Sequence, residues 1–557
     1  MCQLPSKAFG LPVCFSEQKN NLLTRKDAAD YTTRPSLNML YLAIMKHVAR
    51  STIIVGVFFA LEKALGFIRQ VVIARTFGLS AEIDAFNAAN NYPDLLFALI
   101  SGGALAMALI PVLSQQLEKS GKTAAWGLFS RIGNLLFLAT AGLSLLIGLF
   151  APAIVTSWWG VAPHFSVEQQ NLVIELMRIN LFATLLFSMS GLMIAGLQAN
   201  QHFLLPALAP SMYDVGMLVG VLILAPTEGF TLGGITLPAL GLGVHGLVYG
   251  TVLGALLFFL AQIPGLIHFQ FRWTPRIEFG NPHVQQVIRL MLPRIGTVFF
   301  IQVIFLAQDN FASALPAGAV TALVYGWLFM QVPESLIGTA IGTALLPTLS
   351  EHSARGERDA FRSALEATVR TILALTIPSA ILLAIGIRPL IAILGFDPAG
   401  SELVVWTVRA YMAGLVGHSL LEVAARAFYA RQNALTPLLT SSITALAFVL
   451  TGLIFSRQMG APGIGLANTL VFTLEALALL WLQEKSLAYW LRLAKPLLRV
   501  VVVSLVSGGL AYILQTQLPL DNLSTSMHAL SGLAIMGFGA ILTLPFIWPE
   551  IKLLGKI

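Results

Sequence analysis

The side chains that could do chemistry in this sequence are charges set inside long apolar runs. Glu62, Lys63 and Arg69 fall in one such run, Asp84 opens the next, and Arg294 and Asp309 share a third. Glu334, His418, Glu422 and Arg426 occupy two more. A charge at membrane depth is costly, so its default meaning is a functional site with a partner. A sheltered ammonium or guanidinium suits an anionic group, and the planar fork of arginine suits phosphate geometry. Bond-making chemistry has no motif to run on. The sequence holds no Walker-type glycine-rich lysine loop, no HExxH, no GxSxG and no CxxC. Binding and transport are the expectation, and an enzyme is not. Cys2 and Cys14 both lie in the N-terminal tail, which argues against a disulfide framework or a cysteine metal site. No cofactor and no metal are expected.

Spacing sorts these charges. Glu62 and Arg69 are seven residues apart, two helical turns, and share a face. They read either as a structural pair or as a cation held ready for substrate. Arg294 follows Pro293, whose break in a helix frees backbone carbonyls near a cavity. Arg294 and Asp309 are separated by about 22 Å along a helix, too far to pair, so each needs another partner. That favours cavity lining. Glu422 and Arg426, at i and i+4, read as a structural pair, and His418 as a hydrogen-bonded core histidine. Asp214 and His245 read as interhelical hydrogen-bonders, and Arg75 as a side chain snorkelling to headgroups.

The elements that must position these groups follow from composition. The chain has 557 residues, 57% hydrophobic and 11% charged, with mean hydropathy +0.81. Soluble domains carry about 25% charged residues, so the solvent for most of this chain is lipid. Its formal charge of +7 fits basic loops beside anionic lipid rather than nucleic acid. Crossing the hydrocarbon takes roughly 20 apolar residues. Such runs cover 51–76, 83–113, 126–151, 172–197, 204–226, 239–268, 284–313, 318–349, 364–386, 403–430, 435–456, 461–483, 497–516 and 526–548. The expected fold is therefore an all-α polytopic membrane protein of about fourteen transmembrane helices.

The loops alternate in charge. Lys119, Lys122, Arg272, Arg276, Arg355, Arg358, Arg431, Lys485 and Arg492 fall in every second connection, and the intervening ones are nearly bare of Lys and Arg. Both termini are thus expected on the cytoplasmic side of the inner (plasma) membrane. Residues 1–45 form a polar extension with no apolar core of a secretory signal, and Met39 or Met45 is a plausible true start.

The sequence also repeats itself. Ala106 to Ser114, around Pro111, resembles Gly342 to Ser350, around Pro347, at an offset of 236 residues. Gln198 to Pro206 resembles Ala430 to Pro437 at an offset of 231. Two pairs at nearly one offset indicate a duplicated six-helix unit running parallel in both copies, with two C-terminal helices added. The expected organisation is an N-lobe over 46–270, a C-lobe over 271–485 and a span pair over 486–557. Two such lobes form a rocking transporter with its site at their interface.

Specific words then resemble the MurJ (MviN) family. They are Leu65-Gly-Phe-Ile-Arg69, Ala74-Arg-Thr-Phe-Gly78, Asp84-Ala-Phe86, Pro93-Asp-Leu-Leu96 and Gly103 to Ser114. Pro206-Ala-Leu-Ala-Pro210, Gly338 to Ser350, Phe428-Tyr-Ala-Arg-Gln432 and Thr436-Pro437 continue the series. The family belongs to the multidrug/oligosaccharidyl-lipid/polysaccharide exporters. The resemblance implies a flippase moving lipid II outward by alternating access for cell-wall synthesis, through a central cationic cavity, with a hydrophobic groove on the last two spans. Its implied partners are the lipid-linked oligosaccharide and the bilayer, with room for cell-wall synthesis proteins and none for nucleic acid. Arg69 matches a basic position of the family, Lys63 stands where an arginine is usual, and Asp84 matches an acidic one. Asp84 is expected to pair with Lys63 or Arg69, or to cap its helix. With Arg294, these make the candidate substrate-binding set.

Other family charges are replaced, by Phe97 and Ala98, by Gly102, and by Trp327, Leu328 and Gln331. A sodium site known in some members is not carried over, since span eleven here has no Asp or Asn. Three alternatives stay open: a flippase for another polyprenyl-pyrophosphate-linked saccharide, an amphiphile exporter, and a non-transporting scaffold.

Overall fold

In the computed structural model, the residues described are 57–553, apart from 59, 101–102, 233, 486 and 519–523. The polar extension expected over 1–45 lies outside them. The chain is helical almost throughout. We label the residue 60–77 helix α1, followed by α2 (Ala81–Ile100), α3 (Gly103–Thr156), α4 (Val167–Ala199), α5 (Leu204–Val219), α6 (Val244–Leu260) and α7 (Ile263–His268). Then come α8 (Pro282–Ala312), α9 (Ala319–Glu334), α10 (Ala340–Ala354), α11 (Arg358–Ala392), α12 (Pro398–Met412) and α13 (Leu415–Ala430). The last four are α14 (Leu435–Met459), α15 (Ala461–Gln483), α16 (Leu487–Gln517) and α17 (Thr525–Ile551).

Among the described residues, 11 helical stretches are long and apolar enough to cross a membrane. The other three expected spans are those cut or broken. Span one is described only from residue 57, span two is divided between α2 and α3, and span ten breaks at Ala413–Gly414 between α12 and α13. Spans two and three meet inside α3, where Gly121 turns the chain at φ 78°, a conformation that favours glycine.

Helix starts carry their own chemistry. Ser166 and Gln169 make a reciprocal capping box for α4. Asn281 caps α8 ahead of Pro282, and Asp397 caps α12 ahead of Pro398, prolines being tolerated in a first turn whose N–H groups have no helical partner.

Packing inside lipid relies on small residues, because apolar side chains gain little by leaving apolar solvent. Gly216 and Gly220 lie four apart at the α5 end, and Gly246, Gly250 and Gly254 repeat that spacing on α6. A Cβ on Gly216 would fall 2.3 Å from the Gly254 backbone, and one on Gly250 2.7 Å from Gly220. The two backbones therefore touch. Buried side chains gather in separate clusters. One holds Ile83, Phe86, Leu176, Met177 and Leu247 from α2, α4 and α6. Another holds Leu323, Tyr325, Val408, Tyr411 and Ile464 from α9, α12 and α15.

The repeated words fold alike. Pro206 and Pro437 are each the third residue of their helices, α5 and α14. Each turn before them passes through a left-handed glutamine, Gln201 at φ 59° and Gln432 at φ 57°. Each closes with a backbone bond, His202 N–H to Leu197 and Asn433 N–H to Phe428, at 2.9 and 3.0 Å. Beyond these helices, α16 and α17 lie against α11. Their anchor is the Glu550 carboxylate, 1% exposed, which takes Arg370 at 3.3 Å and Arg499 at 2.5 Å.

Candidate functional site

A cavity of about 350 Å³ lies between α1, α2 and α5 on one side and α8 and α9 on the other. Helix periodicity aims its polar wall. Asn87, Asn90, Asn91 and Asp94 stand at i, i+3, i+4 and i+7 on α2, one polar stripe beyond the acidic first turn of that helix. Opposite them, α8 contributes Gln302, Gln308 and Asp309. Tyr213, Phe305, Tyr325 and Trp327 supply aromatic faces. Several of the amides are tied down. Asn180 donates to Asn90 at 2.7 Å, and Tyr411 donates to Gln308 at 2.6 Å.

The cation in this wall is Arg69 of α1. Its guanidinium meets the Asp214 carboxylate of α5 at 2.8 Å and lies over the Tyr213 ring, 5.2 Å from its centre. Both side chains are largely buried, 17% and 4% exposed, so each charge is costly without the other. The Nε of Arg69 is buried without a hydrogen-bond partner among the described residues. The Glu62–Arg69 pair read from spacing does not form. Glu62 turns to its neighbour Lys63, at 3.3 Å, and Arg69 finds an acid far away in sequence.

At the end of the cavity marked by the α2 and α9 N-termini, hydrogen bonds join its two walls. Asp84, 1% exposed, accepts from the Gly318 N–H at 2.6 Å, the Thr321 N–H at 2.8 Å and the Thr321 hydroxyl at 2.6 Å. It thereby caps α9, a helix more than 200 residues away, where N–H groups lack partners and the helix dipole favours negative charge. It is not joined to Lys63 or Arg69, and the helix it caps is not its own. Gly318 sits at φ 92° against Leu79, and a Cβ there would approach that side chain to 2.7 Å. Asn87 donates to the Thr321 hydroxyl at 3.0 Å, and Asn91 to the Asp309 carboxylate. Asn310 reaches the carbonyls of Trp158 and Gly160 at 3.0 and 2.6 Å. Arg75, read as a snorkelling side chain, donates its Nε–H to the Ile393 carbonyl at 3.0 Å.

The remaining residues of the sequence-based set stand apart. Lys63 is half-exposed on α1 and outside the cavity lining. Arg294 is partly buried on α8, also outside that lining. The cavity thus brings Arg69 together with α2 amides and an α8 carboxylate, but not with Lys63 or Arg294. Sequence reasoning missed the α2 stripe, although its 3.6-residue period was there to read. His418 is the hydrogen-bonded core histidine expected, 3.0 Å from Asn468, and Glu422 and Arg426 pair. His245 meets Glu175 at 3.4 Å.

Comparison with known proteins places this architecture. The family described as "Lipid II flippase MurJ" matches residues 73–528. The chain belongs to the MurJ family. A relative named "Lipid II flippase MurJ" from Burkholderia cenocepacia is 28% identical over 518 residues, 89% of this chain and 97% of that protein. A "Probable lipid II flippase MurJ" from Vibrio cholerae is 26% identical, covering 90% and 96%. Among solved structures, "Lipid II flippase MurJ, inward closed conformation" aligns with TM-score 0.71 at 23% identity, covering 89% of this chain and 98% of that one. An inward-facing multidrug resistance MATE transporter of the MOP superfamily aligns at 0.61 and 13% identity, covering 79% and 94%. The fold is that of MurJ and MATE proteins.

Of the positions where the resemblance implies charges, Phe97, Trp327 and Leu328 are packed against neighbours. Phe97 packs edge-on to Phe187, ring centres 5.8 Å apart. Trp327 lines the cavity and packs on Phe305 at 5.1 Å. Leu328 joins the α9 core, and Gln331 is exposed. Position 102 lies outside the described residues.

Proposed function

We propose that this chain moves lipid II from the cytoplasmic to the outer leaflet of the inner membrane by alternating access. The observation that carries the reading is the set of hydrogen bonds joining, at one end, the two walls of a polar chamber that come from different helix sets, which we read as a seal. Such a seal is made of a few exchangeable bonds, so it can open without unpacking either wall. We take the walls to be two lobes, 46–270 and 271–485, with 486–557 as an appended pair offering a groove for the lipid tail. The sealed end carries the loops poor in Lys and Arg, which supports placing it outside and both termini inside.

In this reading Lys63 and Arg294 lie toward the basic-loop end, where a pyrophosphate would enter, and Arg69 stands deeper as the chamber's cation. Asp84 acts on the gate rather than on the cargo. The membrane potential or an ion gradient supplies the drive. Proteins that make or consume the lipid-linked precursor are the natural partners. The test is complementation in a bacterium depleted of its own lipid II flippase. Growth and normal shape are expected on expression of this chain. Lysis despite a membrane-inserted, well-expressed protein overturns the lipid II assignment.

A further inference from the structure

The chamber's charges do not favour an anion. Arg69 is neutralised by Asp214 at 2.8 Å, while Asp94 and Asp309 add two carboxylates to the same lining. Asp309 is engaged by the Asn91 amide. Asp94 is different. It is exposed to the cavity on α2 and makes no hydrogen bond or ion pair with any described residue. Gln70 and Gln302, in the same lining, also keep their side-chain amides unpartnered among the described residues.

These free groups have one chemistry in common. A carboxylate accepts hydrogen bonds and cannot donate them, and each glutamine can turn its carbonyl acceptor, rather than its N–H donors, to the same ligand. A primary ammonium offers three donors and no acceptor, which matches one carboxylate and two amide oxygens. The electron-rich faces of Tyr213, Phe305 and Trp327 attract a cation as well. A phosphate brought to the same place meets at Asp94 a carboxylate of its own sign that has no hydrogen to give it.

We propose that Asp94, with Gln70 and Gln302, is the binding site for a primary ammonium, so that the chamber selects an amine-bearing headgroup. This rests on the flippase reading above and makes the amine, rather than the phosphate, the group read at the chamber's centre. The phosphate is met nearer Lys63 and Arg294.

The purified full chain in detergent tests this with three probes. One is lipid II with its peptide amine free, the second is the same lipid with that amine acetylated, and the third is dodecylammonium. The wild-type protein is expected to bind the free-amine lipid about tenfold tighter than the acetylated one, the effect of one charge-assisted hydrogen bond. Asp94→Asn brings the two within about twofold, Asp94→Glu restores the preference, and neither variant changes the melting temperature. Equal binding of the two lipids by the wild type, or an intact preference in Asp94→Asn, overturns the ammonium site and leaves the flippase reading standing. Asp94-dependent binding of dodecylammonium with no binding of either lipid upholds the ammonium site and overturns the lipid-linked cargo. No binding of any probe overturns both.

Discussion

Two aspartates on α2 meet the membrane interior in opposite ways. Asp84 is buried and takes three hydrogen bonds from the first turn of α9. Asp94, ten residues on, faces the chamber with no hydrogen-bond or ion-pair partner among the described residues. A carboxylate inside a bilayer is tolerated when donors replace its water or when a polar cavity keeps it wet. The first solution makes a structural joint and the second leaves a group free to bind. Two aspartates of one helix therefore serve a seal and a site, and substitution should tell them apart.

The largest effect is expected where a satisfied charge loses its partner. Arg69→Ala strands Asp214, which is 4% exposed, and removing one member of a buried pair costs about 3–5 kcal/mol. Thermal unfolding should show that loss, and adding Asp214→Ala should recover more than half of it. A drop below about 1 kcal/mol in the single variant would make the pair a solvated one and remove Arg69 from the class to which Asp84 belongs.

Next comes the joint itself. Asp84→Asn keeps the size but turns an N–H toward an N–H at Gly318 or Thr321. The cost is about 2–3 kcal/mol for donors left unsatisfied. It should also loosen the seal. With Cys2 and Cys14 replaced, Val324→Cys in the chamber lining reports access. A membrane-impermeant maleimide added outside should label it faster in the Asp84→Asn background than in its absence. Unchanged labelling would detach Asp84 from gating and leave it a packing feature.

Much of this was readable in the sequence, and the parts that were not share a cause. Hydropathy placed the spans because each is a local property, and it read through the break at Ala413–Gly414 because one short interruption hardly alters a window average. The Pro206 and Pro437 repeat survives in matched turns for the same reason. Partners are another matter. Arg69 and Asp214 were both visible, but Glu62 on the same helix offered a local alternative, and nothing in the spacing shows that it turns to Lys63. The α2 stripe of Asn87, Asn90, Asn91 and Asp94 was legible by periodicity, yet amides draw less attention than charges. Asp84 could be recognised as acidic at a helix start, but its helix N-terminus belongs to α9, which only the tertiary fold brings near.

The smallest effect discriminates best between two accounts of the seal. Thr321→Val keeps the shape of the side chain and removes one hydroxyl that donates to Asp84 at 2.6 Å and accepts from Asn87 at 3.0 Å. The backbone N–H groups of Gly318 and Thr321 still hold the carboxylate. If the helix terminus carries the joint, stability falls by about 1 kcal/mol and outside labelling of Val324→Cys rises less than in Asp84→Asn. If the hydroxyl carries it, Thr321→Val matches Asp84→Asn in both readouts. In the first case any residue that fits the first turn of α9 at 321 serves, and Asp84 is the part that cannot be exchanged. In the second, the contact between the two walls is a side-chain pair, and the contrast between Asp84 and Asp94 lies in whether a hydroxyl stands opposite.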